Sequence, residues 1–163
     1  VGRAKGWSNR GHRKDRPKPG YAYIHTAIDD YSRLAYSEIL IDERQETAAR
    51  FWQRASAYFQ GCGVSIRRVL TDNGSCYRSR VFNEALGPGI KHKYTRPYRP
   101  QTNGKVERFN RTMTEEWAYA RPYKSETERA QAFLAWLHHY NHHRGHTALR
   151  GQAPASRVTN LRG

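Results

Sequence analysis

This 163-residue sequence predicts an α/β protein with a mixed sheet flanked by helices. Three observations carry that expectation. Short runs of aromatic and β-branched residues, of strand length, fall at residues 21–30, 34–41, 65–71 and 90–95. Longer runs with apolar residues at the helical period follow Asp42, Thr102 and Ser125. With a short helix between the last two strands, the order reads strand, strand, helix, strand, helix, strand, helix, helix.

Residues 1–20 hold seven basic residues and one acid, with Gly6, Gly11, Pro17, Pro19 and Gly20 spread among them. No helix survives that composition, so the segment reads as a basic flexible arm or loop, either a solvated linker or a phosphate-contacting one. It also reads as an opening cut from something longer. The folded unit spans 21–163.

In residues 21–30, Tyr21, Tyr23, Ile24, Thr26 and Ile28 make a strand. Asp30-Tyr31-Ser32-Arg33 turns the chain, and residues 34–41 return as the second arm of an antiparallel hairpin. Asp42, with Gln45 three positions on, is the expected cap of the first helix. Ala48, Phe51, Trp52, Ala55 and Phe59 form its buried stripe, and Gly61 and Gly63 end it. Residues 65–71 are the third strand, reversed by Asn73-Gly74-Ser75. A short helix over 79–86 and a strand over 90–95 follow. After a loop rich in Pro, Gly and Asn, a helix begins near 103, capped by Thr102 or Asn103 and buried along Val106, Phe109, Met113 and Trp117. Ser125 and Glu128 form a capping box for the last helix, with Phe133, Leu134, Leu137 and Tyr140 on its buried side.

Lys and Arg number 29 against 14 Asp and Glu, a net charge of +15, and the pI is near 10.3. That excess points to a polyanion, nucleic acid before membrane. No apolar run approaches the roughly 20 residues of a membrane span. Two cysteines, Cys62 and Cys76, make no disulfide framework and fit a reducing compartment, the cytoplasm.

Two carboxylates stand out. Asp72 follows the third strand, and Glu107 lies 35 positions later in the first turn of a helix. Hard carboxylate oxygens suit Mg²⁺ or Mn²⁺, and a pair of such ions can serve phosphoryl transfer. The window 67–111 around them carries a net charge of +8, so metal ligands sit inside a field that attracts phosphate. Arg96, Arg99, Lys105, Arg108 and Arg111 are the candidate DNA contacts; Arg111, one turn beyond Glu107, could instead form a helix salt bridge with it. Taken singly, Asp72 also fits a turn residue and Glu107 an exposed helix start. Asp29 and Asp30 at the hairpin are read as turn residues. The histidines between His138 and His146 have no Cys or carboxylate beside them to complete a metal set.

The wording of these stretches is specific. Thr71-Asp72-Asn73-Gly74-Ser75, then Pro97-Tyr98-Arg99-Pro100-Gln101-Thr102-Asn103-Gly104-Lys105-Val106-Glu107-Arg108-Phe109-Asn110-Arg111, resembles the integrase catalytic core of bacterial insertion-sequence transposases, most closely the IS481-type. Asp29-Asp30-Tyr31-Ser32-Arg33 and Tyr140-Asn141-His142-His143-Arg144-Gly145-His146 extend the resemblance along most of the chain. It implies a ribonuclease H-like fold, an Asp-Asp-Glu triad of which Asp72 and Glu107 are the second and third members, and Mg²⁺ or Mn²⁺ as cofactor. It also implies transposon ends and target DNA as partners, a homo-oligomer when functional, and a bacterial, cytoplasmic setting. In that family a strand bearing the first Asp precedes the one at 21–30. Here no such strand precedes it, so residues 1–163 alone are expected to be inactive. A ribonuclease H-like nuclease, a DNA-binding module and a decayed remnant are the alternatives.

Overall fold

The computed structural model describes residues 23–95 and 104–158. The predicted arm at 1–20, the loop cations Arg96 and Arg99, and the helix caps Thr102 and Asn103 lie outside the described residues.

Strands β1 (Tyr23–Ile28) and β2 (Ala35–Leu40) pair antiparallel, with Tyr23 opposite Leu40 and Ile28 opposite Ala35. The turn between them consumes Asp29. Its Oδ2 accepts from the Ser32 backbone N–H and hydroxyl, both at 2.7 Å, and Arg33 takes a left-handed φ of 66°. Both faces of this hairpin are buried, so side chains of opposite phase serve two cores. Ile24, Ile28, Ala35 and Ile39 meet Phe109, Met113, Trp117, Phe133, Trp136 and Tyr140. Ala27, Tyr36 and Leu40 meet Phe51, Ala55 and Phe59.

Helix α1 (Gln45–Gly61) buries the stripe its sequence predicts. Its cap differs from the expectation. Arg44 occupies the N-cap without a side-chain cap bond. Asp42 stands two residues earlier, where its Oδ1 accepts from the Arg44 N–H at 3.1 Å and its carbonyl takes His25 Nε2 at 2.9 Å. The tie to His25 holds Asp42 on the hairpin and delays the helix start.

Strand β3 (Arg68–Thr71) is shorter than expected and pairs parallel with β4 (Lys91–Tyr94), Arg68 opposite Lys91 and Thr71 opposite Tyr94. Between them come a turn of helix, α2 (Ser75–Arg78), and α3 (Arg80–Ala85), capped by Ser79, whose Oγ accepts from Phe82 N–H at 3.1 Å. Helix α4 (Gly104–Met113) continues into a π-helical turn, Thr114–Ala118, closed by Tyr119 N–H on the Thr114 carbonyl. Helix α5 (Glu126–His142) starts at the predicted Ser125 cap. Its buried side is corrected: Phe133, Trp136 and Tyr140 face inward, while Leu134 is 66% exposed.

Asn141 closes the α5–β2 junction. Its Oδ1 accepts from Ala35 N–H at 2.9 Å and its Nδ2 donates to Ala35 O at 2.8 Å, so a buried side-chain amide satisfies both backbone groups at the start of β2.

The expected mixed sheet is split. Among the described residues, β1–β2 and β3–β4 are separate two-stranded sheets. A cavity of about 760 Å³ lies between them, lined by Thr26, Ala27 and Ile28 on one side and by Arg68, Val69, Leu70 and Thr71 on the other. Phe51, Trp52 and Phe59 of α1 and Val106 of α4 also line it. The edges of β1 and β3 that face this space have no backbone partner among the described residues. One strand placed between β1 and β3 would join the two pairs into a single sheet.

Candidate active site

Asp72 is the first residue beyond β3 and is exposed. Its Oδ1 accepts from the Gly74 N–H at 2.8 Å, an Asx-turn that reverses the chain at once. A Cβ on Gly74 would stand 2.9 Å from that same oxygen, so a larger residue there would push the carboxylate aside. Neighbouring groups fix the turn to the sheet. Asn73 Nδ2 donates to Thr95 O at 2.9 Å, and Thr71 Oγ1 lies 2.9 Å from His92 Nε2. His92 Nδ1 in turn lies 2.8 Å from Asn83 Oδ1. Asp72 Oδ2 takes part in no hydrogen bond or ion pair among the described residues.

Glu107 is exposed in the first turn of α4. The predicted stripe positions the helix: Phe109 and Met113 are buried beneath it, and Val106 lines the cavity between the sheets. Glu107 has no hydrogen-bond or ion-pair partner among the described residues. In particular, the i,i+4 salt bridge with Arg111 does not form. Arg108 and Arg111 are likewise exposed, with no ion-pair partner among the described residues.

Lys105 is placed differently from the other cations. Its Nζ pairs with the Asp30 carboxylate and lies 3.4 Å from the Asp30 carbonyl. That hydrogen bond is the main reason the Asp30 carboxyl is held below its usual range. The contact ties the start of α4 to the hairpin turn.

Asp72, Asp30, Lys105 and Val106 thus line one cavity, with Glu107 next along the helix. No hydrogen bond or ion pair joins Asp72 and Glu107. Among the described residues, no three His, Cys, Asp or Glu side chains converge to hold a metal. The donor chemistry fits a hard divalent cation that keeps several waters and takes phosphate oxygens, the usual manner of Mg²⁺, but it does not make a closed cage.

The Tyr140–His146 stretch is a packing element. Arg144 binds the Glu116 carboxylate with contacts of 2.8–3.1 Å, and Trp136 Nε1 donates to Glu116 at 3.2 Å. Burial pushes the Glu116 carboxyl up, but these partners outweigh it and leave the group below its ordinary value. His146 packs edge-on to Tyr140 at 4.7 Å.

The profile of the integrase core domain matches residues 8–100, and a second integrase core domain profile matches residues 88–154. This chain belongs to the integrase core family. A retrovirus-related Pol polyprotein from transposon TNT 1-94 of Nicotiana tabacum is 38% identical over 98 residues, covering 59% of this chain and 7% of that protein. The curated relatives are much longer, and the chain spans 7% and 42% of the first two it matches. Among solved structures, the simian T-cell lymphotropic virus intasome in complex with PP2A regulatory subunit B56 gamma superposes with a TM-score of 0.68 at 24% identity, over 83% of this chain and 47% of that one. The HTLV-2 integrase catalytic core domain in complex with magnesium superposes at 0.62 with 18% identity, over 82% of each chain. The integrase core has the ribonuclease H-like α/β fold expected from the sequence. No helix among the described residues is long and apolar enough to cross a membrane.

Proposed function

We propose that this chain is the core of a bacterial, insertion-sequence transposase of IS481 type that cuts DNA at the element's ends and joins them to a target. The partners are transposon ends and target DNA. The protein acts as a homo-oligomer, because two ends must be brought together, and works in the cytoplasm on nucleoid DNA. The observation that supports this reading best is the placement of Asp72. A carboxylate with one oxygen uncommitted stands at a strand end in a strongly basic chain, on a cavity whose wall runs into the helical turn bearing Glu107.

Asp72 and Glu107 would hold Mg²⁺ or Mn²⁺, which when bound supplies positive charge to polarise the attacking and leaving oxygens. Gly74 and Asn73 keep Asp72 aimed, and Phe109 and Met113 seat the helix that carries Glu107. Arg108 and Arg111, on the same helix as Glu107, would neutralise phosphate, a role this reading also gives to Arg96 and Arg99. In the first step a water oxygen bonds to phosphorus, the P–O3′ bond breaks, and the freed 3′ oxygen takes up a proton. In the second that 3′-hydroxyl attacks a target phosphodiester, losing its proton as the target strand's 3′ oxygen leaves.

The third carboxylate belongs, in this proposal, to one further strand seated in the cavity between β1 and β3. A strand inserted between two others needs them about 9–10 Å apart, twice the ordinary spacing. The test is a strand-transfer assay with Mg²⁺ on residues 1–163 and on the same chain extended by a strand bearing an Asp. The short chain should bind DNA but neither cut nor join it, and the extended chain should do both. If the short chain joins ends, an acid within it, Asp30 foremost, completes the site and the vacant position is not needed.

A further inference from the structure

Among the described residues, the β3–β4 sheet has one covered face and one open face. Val69, Ile66 and Ile90 pack against Ala48, Trp52, Phe82 and Leu86, and the His92 ring lies 5.5 Å from that of Phe82. Successive side chains on a strand alternate, so Arg68 and Leu70 on β3, and Lys91 and Lys93 on β4, point the other way. All four are exposed, Leu70 to 45%. The parallel register sets Arg68 beside Lys91 and Leu70 beside Lys93. Three cations therefore share one small sheet face. Among the described residues, none of them has a hydrogen-bonded or ion-paired carboxylate; Arg68 adds only a weak field at Asp30. Extended by one step, the two-residue period of β3 brings Asp72 onto the same side as Arg68 and Leu70.

We propose that this open face is a DNA-contact surface, in which Arg68, Lys91 and Lys93 hold backbone phosphates and lead the strand toward Asp72. The inference rests on the functional reading above and adds residues that it does not use. Charge complementarity selects the occupant. Unpaired cations at regular strand spacing, around one apolar side chain and beside a carboxylate suited to metal, match a polyanionic backbone and give an apolar protein partner little to bury. Phosphate contacts of this kind position DNA without reading its sequence, so the surface serves target DNA of any sequence as well as the element's ends.

The test measures the affinity of the full chain for a DNA duplex between 50 and 200 mM salt by fluorescence anisotropy. One variant combines Arg68→Ala, Lys91→Ala and Lys93→Ala. A control removes three exposed cations elsewhere, Arg50→Ala, Arg80→Ala and Lys124→Ala. Each phosphate contact contributes about 0.9 to the slope of log K against log salt, so the sheet-face variant should lose about 2 to 3 units of slope. The control should lose less than about one. Both should melt at the wild-type temperature, since the three sheet-face cations are exposed and have no hydrogen-bonded or ion-paired carboxylate among the described residues. A variant slope equal to wild type, or a loss no greater than the control's, overturns the proposal. Wild-type binding that ignores salt would instead remove the DNA reading itself.

Discussion

Asp72→Asn, introduced into the core extended by its third carboxylate, should reduce Mg²⁺-dependent strand transfer by about three orders of magnitude or more. The substitution is nearly isosteric. The Asn side-chain oxygen can still accept from the Gly74 N–H, now 2.8 Å from Asp72 Oδ1, so the turn persists. What disappears is the charge that holds a divalent cation. DNA affinity should stay equal or rise slightly, because net positive charge increases by one. That separates a lost ligand from a lost fold. Asp30→Asn is the matched comparison. It releases Lys105 from the hairpin and should lower transfer by less than about tenfold. Equal losses from both substitutions would mean that the metal site is built around the wrong aspartate.

Phe109→Ala should destabilise the protein by about 3–5 kcal/mol. Phe109 is 1% exposed and lies against Trp136 at 5.5 Å and Tyr140 at 4.9 Å, ring centre to ring centre. It belongs to the cluster joining α4 and α5 to the hairpin. The cavity left by its ring would loosen α4 two residues from Glu107, so activity should fall before the protein unfolds globally. Denaturant unfolding followed by tryptophan fluorescence measures the loss. Leu134→Ala is the contrast: at 66% exposed it should change stability by less than about 0.5 kcal/mol. A comparable loss at Leu134 would place the buried side of α5 where the sequence pattern put it.

That contrast shows what was legible in the sequence. On α1 the apolar positions follow a single phase, and the predicted stripe is the buried one. On α5 two phases compete: Phe133, Trp136, Leu137 and Tyr140 pack into the core, and Leu134 does not. The aromatic phase wins because it fills the space between α4 and the hairpin. Local signals read well: the Ser125 cap, the turn at Asp30–Arg33 and the Asx-turn at Asp72 all depend on residues within a few positions. Partnerships across the chain left no such mark. Asn141 and Ala35 are 106 positions apart, and a polar residue inside a His-rich stretch shows no sign of binding a strand start. Lys105 read as one more cation of a basic motif, and its pairing with Asp30, 75 positions away, depends on where the hairpin turn meets α4. The split sheet has the same origin. Strand periodicity marks which segments are extended, but not which edges find partners.

The central claim is that Asp72 and Glu107 ligate the same divalent-metal centre, and anomalous scattering from Mn²⁺ in crystals of the extended core tests it most directly. A peak within about 2.2 Å of carboxylate oxygens of both Asp72 and Glu107 is the predicted result. A Mn²⁺ peak at Asp29 or Asp30 with none at Asp72 would contradict it.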